Sequence, residues 1–147
     1  MRIDIYLHKD RTLPGVIRWD EDSSARCFGK SDNAAAKKAG NESRDPLKPY
    51  GDIPLGNYKA VVTVPGSPDR SYGPHKRLNL TPTAGPALQA FANGRYGIMI
   101  HGGDLAPNGN LRPTHGCVRV DDHAMENILL TIDEYKGGET LVYVWEV

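Results

Sequence analysis

Short runs of alternating apolar and polar residues, each cut off within a few positions by glycine or proline, constrain this chain more than any other feature. Sixteen glycines and eleven prolines are spread over 147 residues, and the segments they leave are mostly of strand length. Ile3 to Leu7 alternates with period two, and Val16 to Trp19 follows the Pro14-Gly15 turn signal, so the chain opens as a β-hairpin. Ser24 to Gly29 carries Ala25, Cys27 and Gly29 on one face of a third strand, with Arg26 and Phe28 on the other. Cys27 then reads as a small core residue.

Lys30 to Tyr50 departs from this pattern. It is rich in Ala, Lys, Asn, Asp and Pro without a sustained apolar period, and reads as a long loop or insertion with one helical turn around Ala34 to Lys38. The period-two pattern resumes after a turn on Pro54 and Gly56, which feeds a central strand from Tyr58 to Val64. Pro65 to Pro74 is a loop, and Arg77 to Leu80 a short strand ended by Pro82. Leu88, Phe91 and Ala92 fall at helical spacing between Pro86 and Asn93, with Pro86 in the first turn and Gly94 behind the end. Gly97 to His101 is a buried strand broken by Gly102-Gly103. Asp121 or Asp122 caps a helix whose apolar stripe is Ala124, Met125, Ile128 and Leu129. Thr140 to Val147 is largely apolar on both faces, the signature of a strand inside a sheet. About seven strands and two or three short helices predict a mainly β domain with antiparallel or mixed sheets spanning residues 1–147. The alternation of strands with long crossover helices that a doubly wound nucleotide-binding fold requires is missing.

Composition removes several function classes. Eighteen acidic and eighteen basic residues balance to zero, so the broad basic footprint of a nucleic-acid-binding protein is absent and Lys37 and Lys38 read as solvated surface. No apolar run is long enough to span a membrane, and Met1 to Leu13 lacks the pattern of a signal peptide. Two cysteines make no disulfide framework, so Cys27 and Cys117 are expected as free thiols.

Chemistry concentrates between Gly97 and Val120. Gly-Ile-Met-Ile-His101-Gly ends a strand, and Thr114-His115-Gly116-Cys117-Val-Arg119 follows after a polar loop. A thiol becomes a useful nucleophile when an imidazole can take its proton, and Cys117 has two candidates, His101 and His115. Gly116 permits an unusual backbone angle that lets successive amides face one oxyanion, with Cys117 N–H joined by Gly116 N–H or His115 N–H. The Gly97 carbonyl is a candidate to orient His101. Arg119 either binds a substrate carboxylate or braces the loop.

The paired signature resembles the catalytic motif of the L,D-transpeptidases, the YkuD-type cysteine enzymes of bacterial cell walls. Asp52-Ile-Pro-Leu-Gly-Asn-Tyr58 is similar to the family's upstream Thr-Pro-x-Gly-x-Phe/Tyr turn, with Ile53 in place of the usual Thr. The likeness runs from Gly51 to the carboxyl end and leaves residues 30–50 unassigned. It implies a β-sandwich or barrel with few helices, Cys117 as nucleophile, and His101 as the base of a thiolate–imidazolium pair oriented by Gly97. His115 and Gly116 would shape the oxyanion site, Thr114 would support the loop, and Arg119 would hold substrate. The implied reaction is attack on the third residue of a peptidoglycan tetrapeptide stem, loss of the terminal D-Ala, and resolution by a second stem to a 3→3 cross-link. Water in place of the amine gives an L,D-carboxypeptidase, and another amino acid gives exchange. No metal or cofactor is implied, and the partners are peptidoglycan stem peptides rather than nucleic acid.

The site of action would be the periplasm or cell envelope. With no signal peptide visible, the expected routes are a trimmed sequence or non-classical delivery, including a secreted antibacterial effector with an immunity protein. Two rivals stand beside the enzyme: a zinc site drawn from His101, His115, His123 and Cys117, and a non-catalytic wall-binding module. His8 and His75 have no assigned role.

Overall fold

The computed structural model describes residues 1–64 and 70–147, so residues 65–69 of the expected Pro65 to Pro74 loop lie outside the described residues. In chain order the elements are β1 (Arg2–Leu7), β2 (Gly15–Trp19), β3 (Ser23–Cys27), α1 (Asn33–Lys38), β4 (Gly56–Thr63) and β5 (Arg77–Ala84), and then α2 (Pro86–Ala92), β6 (Met99–His101), β7 (Val118–Arg119), α3 (Asp122–Glu134) and β8 (Thr140–Glu146).

The opening hairpin pairs antiparallel with Ile3 opposite Trp19, and β3 adds to it with Ala25 opposite Ile17. Because side chains alternate across a strand, this register sends Ile3, Ile5, Leu7, Ile17, Trp19 and Cys27 to one buried face. Each buried isoleucine contributes on the order of 2 kcal/mol. β8 lies inside the sheet, parallel to β1 and antiparallel to β4, as its two apolar faces require. The full order is β3-β2-β1-β8-β4-β5-β6-β7, one mixed sheet of eight strands. Its two ends meet. Phe28 and Arg119 exchange backbone hydrogen bonds of 2.9 Å in both directions, which brings the β3 end against β7 and nearly closes the sheet into a barrel.

One expectation needs correction. β5 continues through Pro82 to Ala84 instead of ending there. The ladder to β4 shifts register beside Pro82, and such a bulge is where a strand tolerates a residue without an N–H. The helix α2 forms where the spacing of Leu88, Phe91 and Ala92 predicts one, and it buries Ala87 and Ala90, while Leu88 and Phe91 face solvent. Ala87 donates its N–H to the Leu55 carbonyl at 2.8 Å and lies against Gly56, a close approach that only small side chains allow. The helix α3 buries Ala124, Met125 and Ile128 as its periodicity predicts, and its cap is Asp121, which accepts the Ala124 N–H at 2.7 Å.

Residues 30–50 are bound to the rest of the fold by polar and backbone bonds, which is why no apolar period marks them. Ser31 pairs with Thr114; the Asp32 N–H donates to the Thr114 carbonyl at 2.7 Å, and the Thr114 N–H to the Lys30 carbonyl at 3.3 Å. Asp52 accepts the Ser31 N–H at 2.7 Å and faces Arg44 Nε at 3.2 Å. The segment is thereby fastened to the loop that carries Thr114 and Cys117.

Candidate active site

Thr114 to Cys117 form a tight loop closed by one hydroxyl. Thr114 Oγ1 accepts the Gly116 N–H at 2.9 Å and donates to the Cys117 carbonyl at 2.8 Å. Gly116 has φ +117°, and a Cβ there would collide with Arg95 Nη2 and the Gly51 carbonyl, so glycine is required for shape. Its N–H, spent on Thr114, is removed from the oxyanion candidates. Among the described residues Cys117 N–H and His115 N–H have no acceptor, which leaves these two for that role.

Cys117 is 9 % exposed, and its thiol faces the Gly97 carbonyl at 3.6 Å. Gly97 therefore does not orient His101 as expected. His101 Nδ1 lies 2.7 Å from the Gly102 carbonyl, the next residue along the chain. A carbonyl can only accept, so Nδ1 carries the proton and the neutral ring keeps its free lone pair on Nε2. The reason lies in the backbone: Gly97 is left-handed at φ +74°, before β6 begins, while His101 ends β6 and turns back over Gly102.

Burial dominates the electrostatics. It pushes the Cys117 thiol above its ordinary value, against the Met99 backbone and the guanidinium groups of Arg95, Arg119 and Arg77, which favour the thiolate. It drives His101 down to about 4, helped by Arg119 and Arg77 and opposed by the Gly102 hydrogen bond. These surroundings favour a resting thiol beside a neutral imidazole.

Arg119 is 4 % exposed. Nε donates to the Arg112 carbonyl at 2.9 Å and Nη1 to the Gly102 carbonyl at 3.0 Å, so two of its donors brace the loops that carry Cys117 and His101. The same Gly102 oxygen meets both His101 and Arg119. The following residue is anchored as well, since Asp122 Oδ1 accepts the Gly103 N–H at 2.9 Å.

Four contributors, Tyr72, Arg77, Arg95 and Asp32, escaped the sequence. The Tyr72 ring lies 4.6 Å from that of His101, with the Arg77 guanidinium 3.9 Å over Tyr72. Arg95, 4 % exposed, donates to carbonyls on both sides of the site. Asp32 enters a cavity of about 460 Å³ together with Tyr72, His101, Arg112, Thr114, His115, Cys117 and Arg119. A second cavity of about 320 Å³, walled by Tyr50, Tyr72 and Tyr96, also reaches Cys117. Cys117 thus stands where two approaches meet. His123 lines a different cavity, with Trp19 and Asp22, and among the described residues no three His, Cys, Asp or Glu side chains converge as a metal would need.

Residues 29–144 match the model of the YkuD family, the L,D-transpeptidase catalytic domain. The chain belongs to the YkuD family. The matched range begins upstream of Gly51 and includes residues 30–50. Crystal structures of the helical cell shape determining protein Pgp2 from Campylobacter jejuni and of a point mutant of it superpose with TM-scores of 0.49 and 0.53, at 20 % and 19 % identity. The alignment covers 98 % of this chain and 47 % of theirs, so the chain spans about half the length of those proteins. The mutant structure carries the comparison of fold, a mostly β YkuD architecture with a nearly closed sheet. No protein of curated function matches the chain.

Proposed function

We propose that the chain is a cysteine acyltransferase that acts on peptidoglycan tetrapeptide stems in the cell envelope. The observation that carries this reading is that Cys117, His115 and His101, whose Nδ1 lies on the Gly102 carbonyl, line one cavity, and that among the described residues the N–H groups of His115 and Cys117 have no acceptor. As Sγ attacks the carbonyl carbon of the third stem residue, His101 Nε2 takes the thiol proton, and the oxyanion is met by the Cys117 and His115 amides. The C–N bond to the terminal D-Ala breaks, the leaving amine receives the proton from His101, and a Cys117 thioester remains. An amine of a second stem then attacks the thioester, gives its proton to His101, and displaces Sγ as the 3→3 amide forms.

His101 need not begin as an imidazolium. A neutral base accepts the thiol proton as Sγ attacks, and burial, helped by Arg119 and Arg77, disfavours its protonation beforehand. The two cavities at Cys117 favour transpeptidation over simple hydrolysis, because donor and acceptor stems each have an approach of their own. Purified tetrapeptide muropeptides provide the test. Release of D-Ala with a 3→3 dimer, abolished in Cys117→Ala, supports the reading. D-Ala release with only tripeptide product reassigns the chain as an L,D-carboxypeptidase, and binding without release in either protein makes it a wall-binding module.

A further inference from the structure

The helix α2 ends in a way that aims one side chain inward. Gly94, at φ +90°, donates its N–H to the Phe91 carbonyl at 3.0 Å, and the Arg95 N–H reaches back to the Ala90 carbonyl at 3.0 Å. This pair of bonds is the Schellman termination, which reverses the chain sharply after a glycine in the left-handed region. The reversal delivers Arg95 into the protein. Its Nη1 donates to the carbonyls of Asp52 at 2.6 Å and Pro46 at 2.9 Å, and its Nη2 to the carbonyl of Gly116 at 3.0 Å. Among the described residues no carboxylate forms an ion pair with it, since Asp52 uses its carboxylate on Arg44 and Ser31. A buried guanidinium satisfied only by neutral carbonyls keeps its full charge, and this one lies one residue from the nucleophile.

We propose that Arg95 is the positioning residue of this site: it fixes the Gly116–Cys117 peptide against residues 46–52 and supplies a buried positive charge, held by no direct ion pair among the described residues, that makes the buried Cys117 thiol reactive. The proposal rests on the reading of Cys117 as a nucleophile. The other charged and titratable groups around Cys117 are His101 of β6, Arg77 of β5, Arg119 of β7, Arg112 and His115 on its own loop, Asp32 across the first cavity, and Tyr50, Tyr72 and Tyr96 along the two cavities, while Asp52 acts on Arg95 itself. Arg77 and Arg119 also favour the thiolate, but each has another task, Arg77 over Tyr72 and Arg119 on the Gly102 and Arg112 carbonyls.

The test reads the pH dependence of Cys117 alkylation by iodoacetamide, followed by peptide mass spectrometry, in the wild type, Arg95→Lys, Arg95→Gln and Arg95→Met. Cys27, fully buried, is the internal unreactive thiol. Removal of the charge in Arg95→Gln or Arg95→Met should move the alkylation midpoint up by about one pH unit, as loss of a nearby opposite charge does. Arg95→Lys should restore the midpoint while turnover stays at least about tenfold down, because a single ammonium cannot hold carbonyls on both sides as the planar fork does. An unchanged midpoint in folded Arg95→Gln overturns the proposal. Failure of all three variants to fold overturns it too, by assigning Arg95 to stability alone. A wild-type Cys117 that resists alkylation throughout would instead sink the nucleophile reading on which the proposal stands.

Discussion

His101 Nδ1 and the Gly102 carbonyl lie 2.7 Å apart, and this contact fixes which nitrogen of the ring is basic. The same surroundings hold the ring neutral, down to about 4 from an ordinary 6.5, with burial as the main cause. The sign of the consequence follows from proton binding. Between pH 6.5 and 4 the unfolded chain binds a proton at His101 that the folded chain does not, so acidification through this window destabilises the fold. The loss should approach about 3 kcal/mol and level off below pH 4. Thermal melts of the wild type should fall across the window, and those of His101→Gln should fall less. Equal slopes in the two proteins would mean that His101 is not held neutral.

Gly116 and Gly97 both have positive φ, yet they should respond differently to the same change. A methyl at Gly116 meets Arg95 Nη2 and the Gly51 carbonyl, whereas one at Gly97 meets nothing within 4 Å. Gly116→Ala should therefore lose nearly all turnover and about 3 kcal/mol of stability. Gly97→Ala should cost about 1 kcal/mol, the strain of a left-handed alanine alone. Chemical denaturation of the two variants checks the order.

Much of this architecture was legible because its causes are local. Ile3 to Leu7 and Thr140 to Val147 declare themselves by alternation. Thr114 to Cys117 is a contiguous motif whose glycine and hydroxyl act within four residues. Arg95 could not be read in this way, because its role depends on a helix-ending turn and on carbonyls of residues 46, 52 and 116, far away in sequence. Tyr72 reaches His101 only after β5 and β6 pair. The segment 30–50 was opaque for a related reason: it presents no apolar face, and Ala36 is the one buried residue of α1. Its attachment to Thr114 is a backbone ladder, and a backbone ladder leaves no mark on residue type.

Arg119 offered two roles in the sequence, and its hydrogen bonds favour one. With Nε and Nη1 on the carbonyls of Arg112 and Gly102, Arg119→Ala should lower stability by about 2 kcal/mol, a drop of several degrees in Tm. The loss of turnover should then be accompanied by slower inactivation of Cys117, since Gly102 also holds His101. A melt unchanged from the wild type, with KM alone raised, would return Arg119 to substrate binding.

The most direct measurement of the central claim is the mass of the protein after exposure to a carbapenem, whose strained carbonyl reports a reactive acyl-accepting cysteine. The expected result is one drug mass located on Cys117, absent from Cys117→Ala and formed at least about a hundredfold more slowly in His101→Ala. Acylation of Cys117→Ala at the wild-type rate would contradict the assignment of Cys117 as the nucleophile.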